Sequence, residues 1–374
     1  MPRKKHLVFL CSSLSWGGLE MNVVRFAQWM REEGHEVTVL GVKDTPLWEK
    51  ATALGLPLLP IAHHRKYADL GNARKLAKLI DELLPDLLWI RDTRDMSICG
   101  WTRLFAHHRF QVVYQQAMQL GVSKKDPVHT SRFRAIDHWI APLQFLADQV
   151  KAKTNYPKKR IKVIPLAIEP ERFLTSASKL DARAMIGLPT EPLLVGNIGR
   201  IDPLKDQMIL IETLPQLRES AGNVHVVIVG EPTRNEGPAY LEALHDKTRE
   251  LDVEEYVHFM PFRNDVETAF AALDVFAMTS VGETFGMVTI EAMASGLPVI
   301  GTNSSGTPEI LGKGECGVLY TAEDRASFVR ELTPLLKSQE MRDRLARNAR
   351  RKALNVYSRK AVLKAIQKQI LAKV

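Results

Sequence analysis

Cysteine is scarce in this 374-residue chain: Cys11, Cys99 and Cys316 are odd in number and far apart. Such spacing offers neither a disulfide framework nor a paired-cysteine metal site, and it predicts a reducing, cytoplasmic setting. No apolar run approaches the roughly 18–20 residues that cross a bilayer. The opening MPRKKHLVFLCSSLSWGG imitates a secretion signal, but its apolar stretch, Leu7 to Cys11, falls short of the ~7–15 residues such signals carry, so a first β-strand is the better reading. The first strand-to-helix turn, SSLSWGGLE, carries no GxGxxG, and no GxxxxGK[ST] loop occurs anywhere. Their absence counts against a nicotinamide enzyme and a P-loop ATPase. No DxD pair ends a strand of the second half, which argues for chemistry without a metal ion.

What is present is an ordinary globular composition, 45% hydrophobic and 25% charged, in a chain long enough for two domains. The formal charge of +8 is uneven: roughly +10 in residues 1–175, −12 in 176–340 and +10 in the last 34. An acidic middle of that size excludes a uniform nucleic-acid binder. The basic clusters are KAKTNYPKKRIK (Lys151 to Lys162), HHRK (His63 to Lys66) and TSRFR (Thr130 to Arg134). They read as solvated surface, with peripheral attraction to anionic lipid or to an anionic acceptor as the functional alternative.

Short apolar runs alternate with amphipathic stretches. HLVFLC reads as a strand, after which Val23, Phe26, Ala27 and Met30 fall at helical spacing until Gly34. HEVTVLGV, LLWIRD, QVVYQ, HWIAP and IKVIPLAI continue as strands, and the alternation restarts with PLLVGNIGR, VHVVIVG, YVHFMPF, DVFAMTS and LPVIGTN. Strands apolar on both faces and separated by helices predict parallel sheets covered on each side. The class is therefore α/β, with two doubly wound halves over 1–168 and 169–355 and a basic helical tail over 356–374.

Ligands of such sheets bind beyond the carboxyl ends of the strands. In the first half that edge carries SSLSWGGLE, where Gly17 and Gly18 leave backbone open to a ligand before a helix N-terminus. In the second half NIGRIDPLKDQ puts Arg200 and Lys205 after a strand-ending glycine, suited to a diphosphate. GETFGMVTIEAMASGLPVI then sets Glu283 and Glu291 with seven residues between them. Gly286 with the amides of Met287 and Val288 would open the helix between them and face an anion. Glu283 lies just outside, and Glu291 leans back from the second turn. Carboxylates accept from vicinal hydroxyls, so one for a sugar, one for a ribose and amides for phosphate describe a nucleotide-sugar.

Taken together, GGLE, GR with a lysine five residues on, and GETFGMVTIEAMASGLPVIGT resemble the retaining GT-B glycosyltransferases of the large family four. That family includes sucrose and glycogen synthases and many bacterial lipopolysaccharide and glycolipid transferases. The resemblance implies two Rossmann-like domains facing across a cleft, acceptor in the first and donor in the second, with the last helix crossing back to the first. It implies no cofactor beyond the nucleotide-sugar, UDP being the commoner leaving group. Glu283 would hold sugar hydroxyls, Glu291 the ribose, Gly286, Met287 and Val288 would offer amides to the phosphate or sugar, and Arg200 and Lys205 would meet the leaving diphosphate. Gly17 and Gly18 would close over the reaction, and Met260 and Pro261 would lie near the base. Where family members often carry a histidine, this chain has Gln115, Gln116 and Ala117, leaving Gln115, Gln116, Gln119 or Asp95 to orient the sugar. The reaction expected is sugar transfer to an acceptor hydroxyl, such as that of a glycolipid or lipopolysaccharide precursor. A nucleotide-sugar epimerase of the same fold and a catalytically weak sugar-nucleotide binder are the alternatives.

Overall fold

A computed structural model describes residues 4–174, 177–233 and 237–374. The chain forms two compact units, Met1–Ile164 with Lys364–Val374, and Pro165–Leu363.

The first unit is built on seven strands, β1 (His6–Cys11), β2 (Glu36–Gly41), β3 (Leu58–Pro60), β4 (Leu87–Ile90), β5 (Gln111–Gln115), β6 (His138–Ala141) and β7 (Ile161–Val163). They are parallel throughout, in the order β3-β2-β1-β4-β5-β6-β7. Alternate residues of the central strands serve the two faces. Phe9 and Trp89 stack at 5.6 Å, and Phe26 of the helix Gly18–Glu32 covers Trp89 at 6.3 Å. On the other face Val8, Leu10, Leu88 and Ile90 pack with Leu76, Ile80 and Ile98. Those residues belong to the helices Leu70–Leu83 and Asp95–Phe105. The C-terminal segment is fastened to this unit by Lys5 Nζ, which donates to the Val374 carbonyl (2.6 Å), and by Gln111 Nε2, which donates to that of Lys373 (3.4 Å).

The second unit has six parallel strands, β8 (Leu193–Ile198), β9 (Val224–Val229), β10 (Val257–Met260), β11 (Val275–Met278), β12 (Val299–Thr302) and β13 (Val318–Tyr320), ordered β10-β9-β8-β11-β12-β13. Ile209, Leu210, Leu214 and Leu217 of the helix Met208–Ala221 lie in its core with Val195, Val226 and Ile228. Asp274, just before β11, accepts from buried Arg183 (2.6 Å) and from the Leu194 amide (2.8 Å), which ties a helix, β8 and β11 together.

The sequence reading omitted β3 and β13 and overextended β7. Each has three residues and lies at or next to a sheet edge, too short for periodicity to register.

A histidine pair marks the β9–β10 edge. His225 Nδ1 and His258 Nε2 are 2.9 Å apart, with the rings stacked. Burial, the neighbouring His258 and Arg218 push His225 down to about 4, and burial lowers His258 as well. Both rings are held neutral, so their contribution is present above the unfolded value of about 6.5 and lost as pH falls toward 4. The pair's own contribution to the stability of the second unit should therefore be lost between pH 6.5 and 4. Protonation of Asp206, raised to about 6, acts in the opposite sense, so the test is the difference between wild type and a variant without the pair. That variant, His225→Gln with His258→Gln, should lack the pair's loss when both proteins are followed by far-UV circular dichroism.

Candidate functional site

In the second sheet the strand order reverses between β8 and β11, the switch point at which doubly wound sheets bind ligands. Three loops meet there. After β8, Gly199 leads to exposed Arg200 and a short turn, Pro203–Lys205, capped by Asp202 through the Leu204 amide (3.0 Å). Buried Gln207 fastens this loop to the strand, donating to Asn197 Oδ1 (3.3 Å) and to the Arg200 carbonyl (2.9 Å). Thr279 donates to the Lys205 carbonyl (2.5 Å), and the Val281 amide to that of Leu204 (3.3 Å), joining the loop after β11. Thr302 donates to the Ser280 carbonyl (2.9 Å) and the Gly306 amide to that of Glu283 (3.1 Å), which brings in the loop after β12.

Lys205 and Glu283, 78 residues apart, form an ion pair at this junction, Nζ to Oε2 2.7 Å, with 26% and 17% of their side chains exposed. Arg200 makes no side-chain hydrogen bond or ion pair among the described residues. The carboxyl of Asp206, next to Lys205, is pushed up to about 6 by burial against the pull of Arg325.

Gly286 caps the helix Met287–Ala294 in the left-handed region, φ 79°. A Cβ there would lie 3.0 Å from Thr289 Oγ1 and 3.1 Å from Glu283 Cγ, so glycine both permits the turn and lets Glu283 pack over the helix start. The Met287 and Val288 amides make no hydrogen bond among the described residues, leaving two donors at the positive end of the dipole. Glu291 is half-buried on the second turn of the same helix. Gly230 has a different constraint: a Cβ would sit 1.8 Å from the Gly199 carbonyl oxygen, so the turn after β9 lies against the turn carrying Arg200 only because the residue is glycine. The Gly230 amide donates to the Met260 carbonyl (2.9 Å), which places half-buried Met260 and exposed Pro261 along the same sheet edge.

In the first unit the order reverses between β1 and β4. Gly17 is the extended cap of the helix Gly18–Glu32, φ −168°, and a Cβ on Gly18 would meet nothing within 4 Å. Neither glycine is demanded by packing within this unit.

Asp95 is fully buried. It accepts from Ser12 Oγ (2.5 Å) and His64 Nε2 (2.9 Å), while His64 Nδ1 faces the Arg65 carbonyl (3.1 Å). With an acceptor on each ring nitrogen, His64 is satisfied only as an imidazolium. Burial opposes that charge, but the hydrogen bond and charge of Asp95 outweigh it and raise His64 above its ordinary value. Alongside, exposed His63 donates through Nδ1 to the Ser12 carbonyl (2.9 Å), and its Nε2 accepts from Arg94 Nη1 (2.7 Å). Gln116, buried past β5, spends its amide on the Trp139 indole (3.0 Å) and the Met118 carbonyl (2.9 Å). Gln115 Oε1 accepts from Trp89 (3.3 Å), and Ala117 is half-buried. The polar ends of Asp95, Gln116, Ser12 and His64 are thus committed inside the unit, and the groups presented at its switch point are His63 and Arg94. The sequence reading noticed the two histidines only as part of a basic cluster, because β3, which delivers them to this edge, is too short to recognise.

Residues 16–172 match the family described as Glycosyltransferase Family 4, and residues 178–352 match Glycosyl transferases group 1. A D-inositol 3-phosphate glycosyltransferase from Stackebrandtia nassauensis is 36% identical over 196 residues, 51% of this chain and 44% of that protein. The corresponding Mycolicibacterium smegmatis protein is 29% identical over 61% of this chain and 53% of its own length. The chain spans about half the length of the curated relatives it matches. Among solved structures, Anabaena HepE in complex with UDP superposes with a TM-score of 0.83 at 23% identity, covering 99% of this chain and 100% of that one. The two sheets, the paired family matches and these likenesses place the chain in the GT-B glycosyltransferases of family 4.

Proposed function

We propose that the protein transfers a sugar from a nucleoside-diphosphate sugar, UDP-linked, to an acceptor hydroxyl, with retention at the anomeric carbon and without a metal ion. The observation that carries this reading is the Lys205–Glu283 pair at the mouth of the helix opened by Gly286. An ammonium and a carboxylate 2.7 Å apart, beside two unpaired amides, are the parts needed for a leaving diphosphate and a hydroxylated sugar. Arg200 adds a second cation on the same edge, and Glu291 a carboxylate for the ribose. UDP is favoured because HepE has been seen with UDP and with UDP-glucose.

As the bond to the anomeric carbon breaks, charge develops on the departing phosphate, where Lys205, Arg200 and the Met287 and Val288 amides stabilise it. With Ala117 where relatives often have histidine, the departing phosphate oxygen takes the acceptor's proton in a front-side attack. The first unit then needs only to orient the acceptor, a role we assign to His63 and Arg94.

A thermal-shift panel of UDP- and GDP-sugars tests the reading, because a ligand at ~100 times its dissociation constant stabilises the fold by about 2.7 kcal/mol. A UDP-sugar should stabilise the protein equally with and without EDTA, and anomeric analysis of product should show retention. Isomerised donor without acceptor would mean an epimerase, and binding without product in the presence of a proven acceptor would mean a binder. No shift with any nucleotide-sugar would reject all three.

A further inference from the structure

A cavity of about 380 Å³ opens in the first unit at the carboxyl ends of β1, β2 and β3, beneath the helix Leu70–Leu83. Its walls are aliphatic: Leu10, Val42, Ile61, Leu76, Leu79 and Ile98. Val42, Ile61 and Leu79 are only half-buried, so part of this apolar surface stays wet until something covers it. No Phe, Tyr or Trp and no carboxylate line the cavity, whereas Lys43, Lys75, the Asn72 amide and the ring of His64 do. Neither lysine makes a hydrogen bond or ion pair among the described residues. Behind the wall, His64 is the doubly donating imidazolium that faces Asp95.

These features select among ligands. A nucleobase would find no Phe, Tyr or Trp to stack on and only the buried edge of His64, and a free sugar would find no carboxylate to accept its hydroxyls. A neutral hydrocarbon would have no use for two unpaired ammonium groups. The volume is within the range of small-molecule sites and has room for about a dozen non-hydrogen atoms.

The geometry points to a binding site for an anionic amphiphile: an aliphatic chain of about eight to twelve carbons enters the cavity, and a phosphate or carboxylate head is held by Lys43 and Lys75. That this ligand is the acceptor, or the lipid end of one, rests on the transfer reading above. That it binds does not.

Decyl phosphate and decanoate, each below its micelle concentration, are titrated into the full chain by calorimetry, with inorganic phosphate, decanol and decyltrimethylammonium as controls. Saturable binding of one anionic amphiphile is expected, with decyl phosphate and decanoate distinguishing the head group. Inorganic phosphate and decyltrimethylammonium should not bind, and decanol at least tenfold more weakly. Lys43→Ala with Lys75→Ala, both exposed, should weaken binding about tenfold or more. Leu79→Trp, which fills the mouth, should abolish it while UDP binding in the second unit is unchanged. Equal binding of the cationic amphiphile, indifference to both variants, or no saturable binding of either anion would overturn the proposal. Sugar transfer without amphiphile binding would refute this site and leave the transfer reading standing. Amphiphile binding without nucleotide-sugar binding would do the reverse.

Discussion

Lys205→Ala should lower sugar transfer by roughly 10²-fold or more, the usual cost of removing one group that stabilises developing negative charge. The structure adds a sharper expectation, because without ligand the ammonium is already held by Glu283 at 2.7 Å. A diphosphate must compete with that carboxylate for Lys205, and a bound sugar must recruit the same carboxylate through its hydroxyls. Glu283→Gln therefore separates the two roles. It should bind UDP more tightly than wild type, since the competing charge is gone, yet transfer far more slowly, since the amide is a poorer acceptor for sugar hydroxyls. Lys205→Ala should weaken UDP binding and transfer together. Folding should hardly change in either variant, because a partly exposed pair contributes at most about 1 kcal/mol. Calorimetric UDP binding and steady-state transfer by the two variants check this. Activity within twofold of wild type in both would make the pair a fastener between the loops after β8 and β11.

The contrast between the two units shows what a sequence can reveal. In the second unit the Gly286 turn, the helix it opens and the two glutamates lie within twelve residues, so local spacing was enough to foresee that turn and helix. The ion pair joining Lys205 to Glu283 crosses 78 residues, and neither the loop fastening by Gln207 nor that by Thr279 leaves a pattern in the chain. In the first unit almost everything at the switch point is nonlocal: His63 reaches Ser12 across 51 residues and His64 reaches Asp95 across 31. Asp95 was legible only as one of four groups able to orient the sugar where relatives often have histidine. Its burial, which decides that it supports His64 rather than a ligand, depends on how the helix Asp95–Phe105 packs, and no local pattern specifies that. Long central strands announced themselves in both units, while β3 and β13 did not, because three residues at an edge leave periodicity nothing to count.

Asp95→Ala is expected to destabilise the first unit by about 3–5 kcal/mol, the cost of stripping one partner from a buried pair and leaving the other charge uncompensated. The side chains of His64 and Asp95 are 1% and 0% exposed, so water cannot replace the lost carboxylate without opening the unit. All six tryptophans lie between Trp16 and Trp139, so indole fluorescence reports unfolding of the first unit alone. The double variant Asp95→Ala with His64→Ala should recover much of the loss, since it removes the stranded charge and leaves a cavity and an unpaired Ser12 hydroxyl. The dependence on pH has a definite sign. His64 is raised in the fold above its unfolded value of about 6.5, so the contribution of its charge is complete below that pH and fades as pH rises through the folded value. Fluorescence-detected denaturation of the wild type should therefore weaken on the alkaline side of pH 6.5, and the double variant should lose that slope. The histidine pair of the second unit has the opposite dependence, and comparison of each double variant with wild type assigns each contribution to its own residues. Equal stability of Asp95→Ala and wild type would mean that His64 sits neutral and donates a single hydrogen bond. Ser12 and the Arg65 carbonyl would then be sufficient to hold the β1 edge.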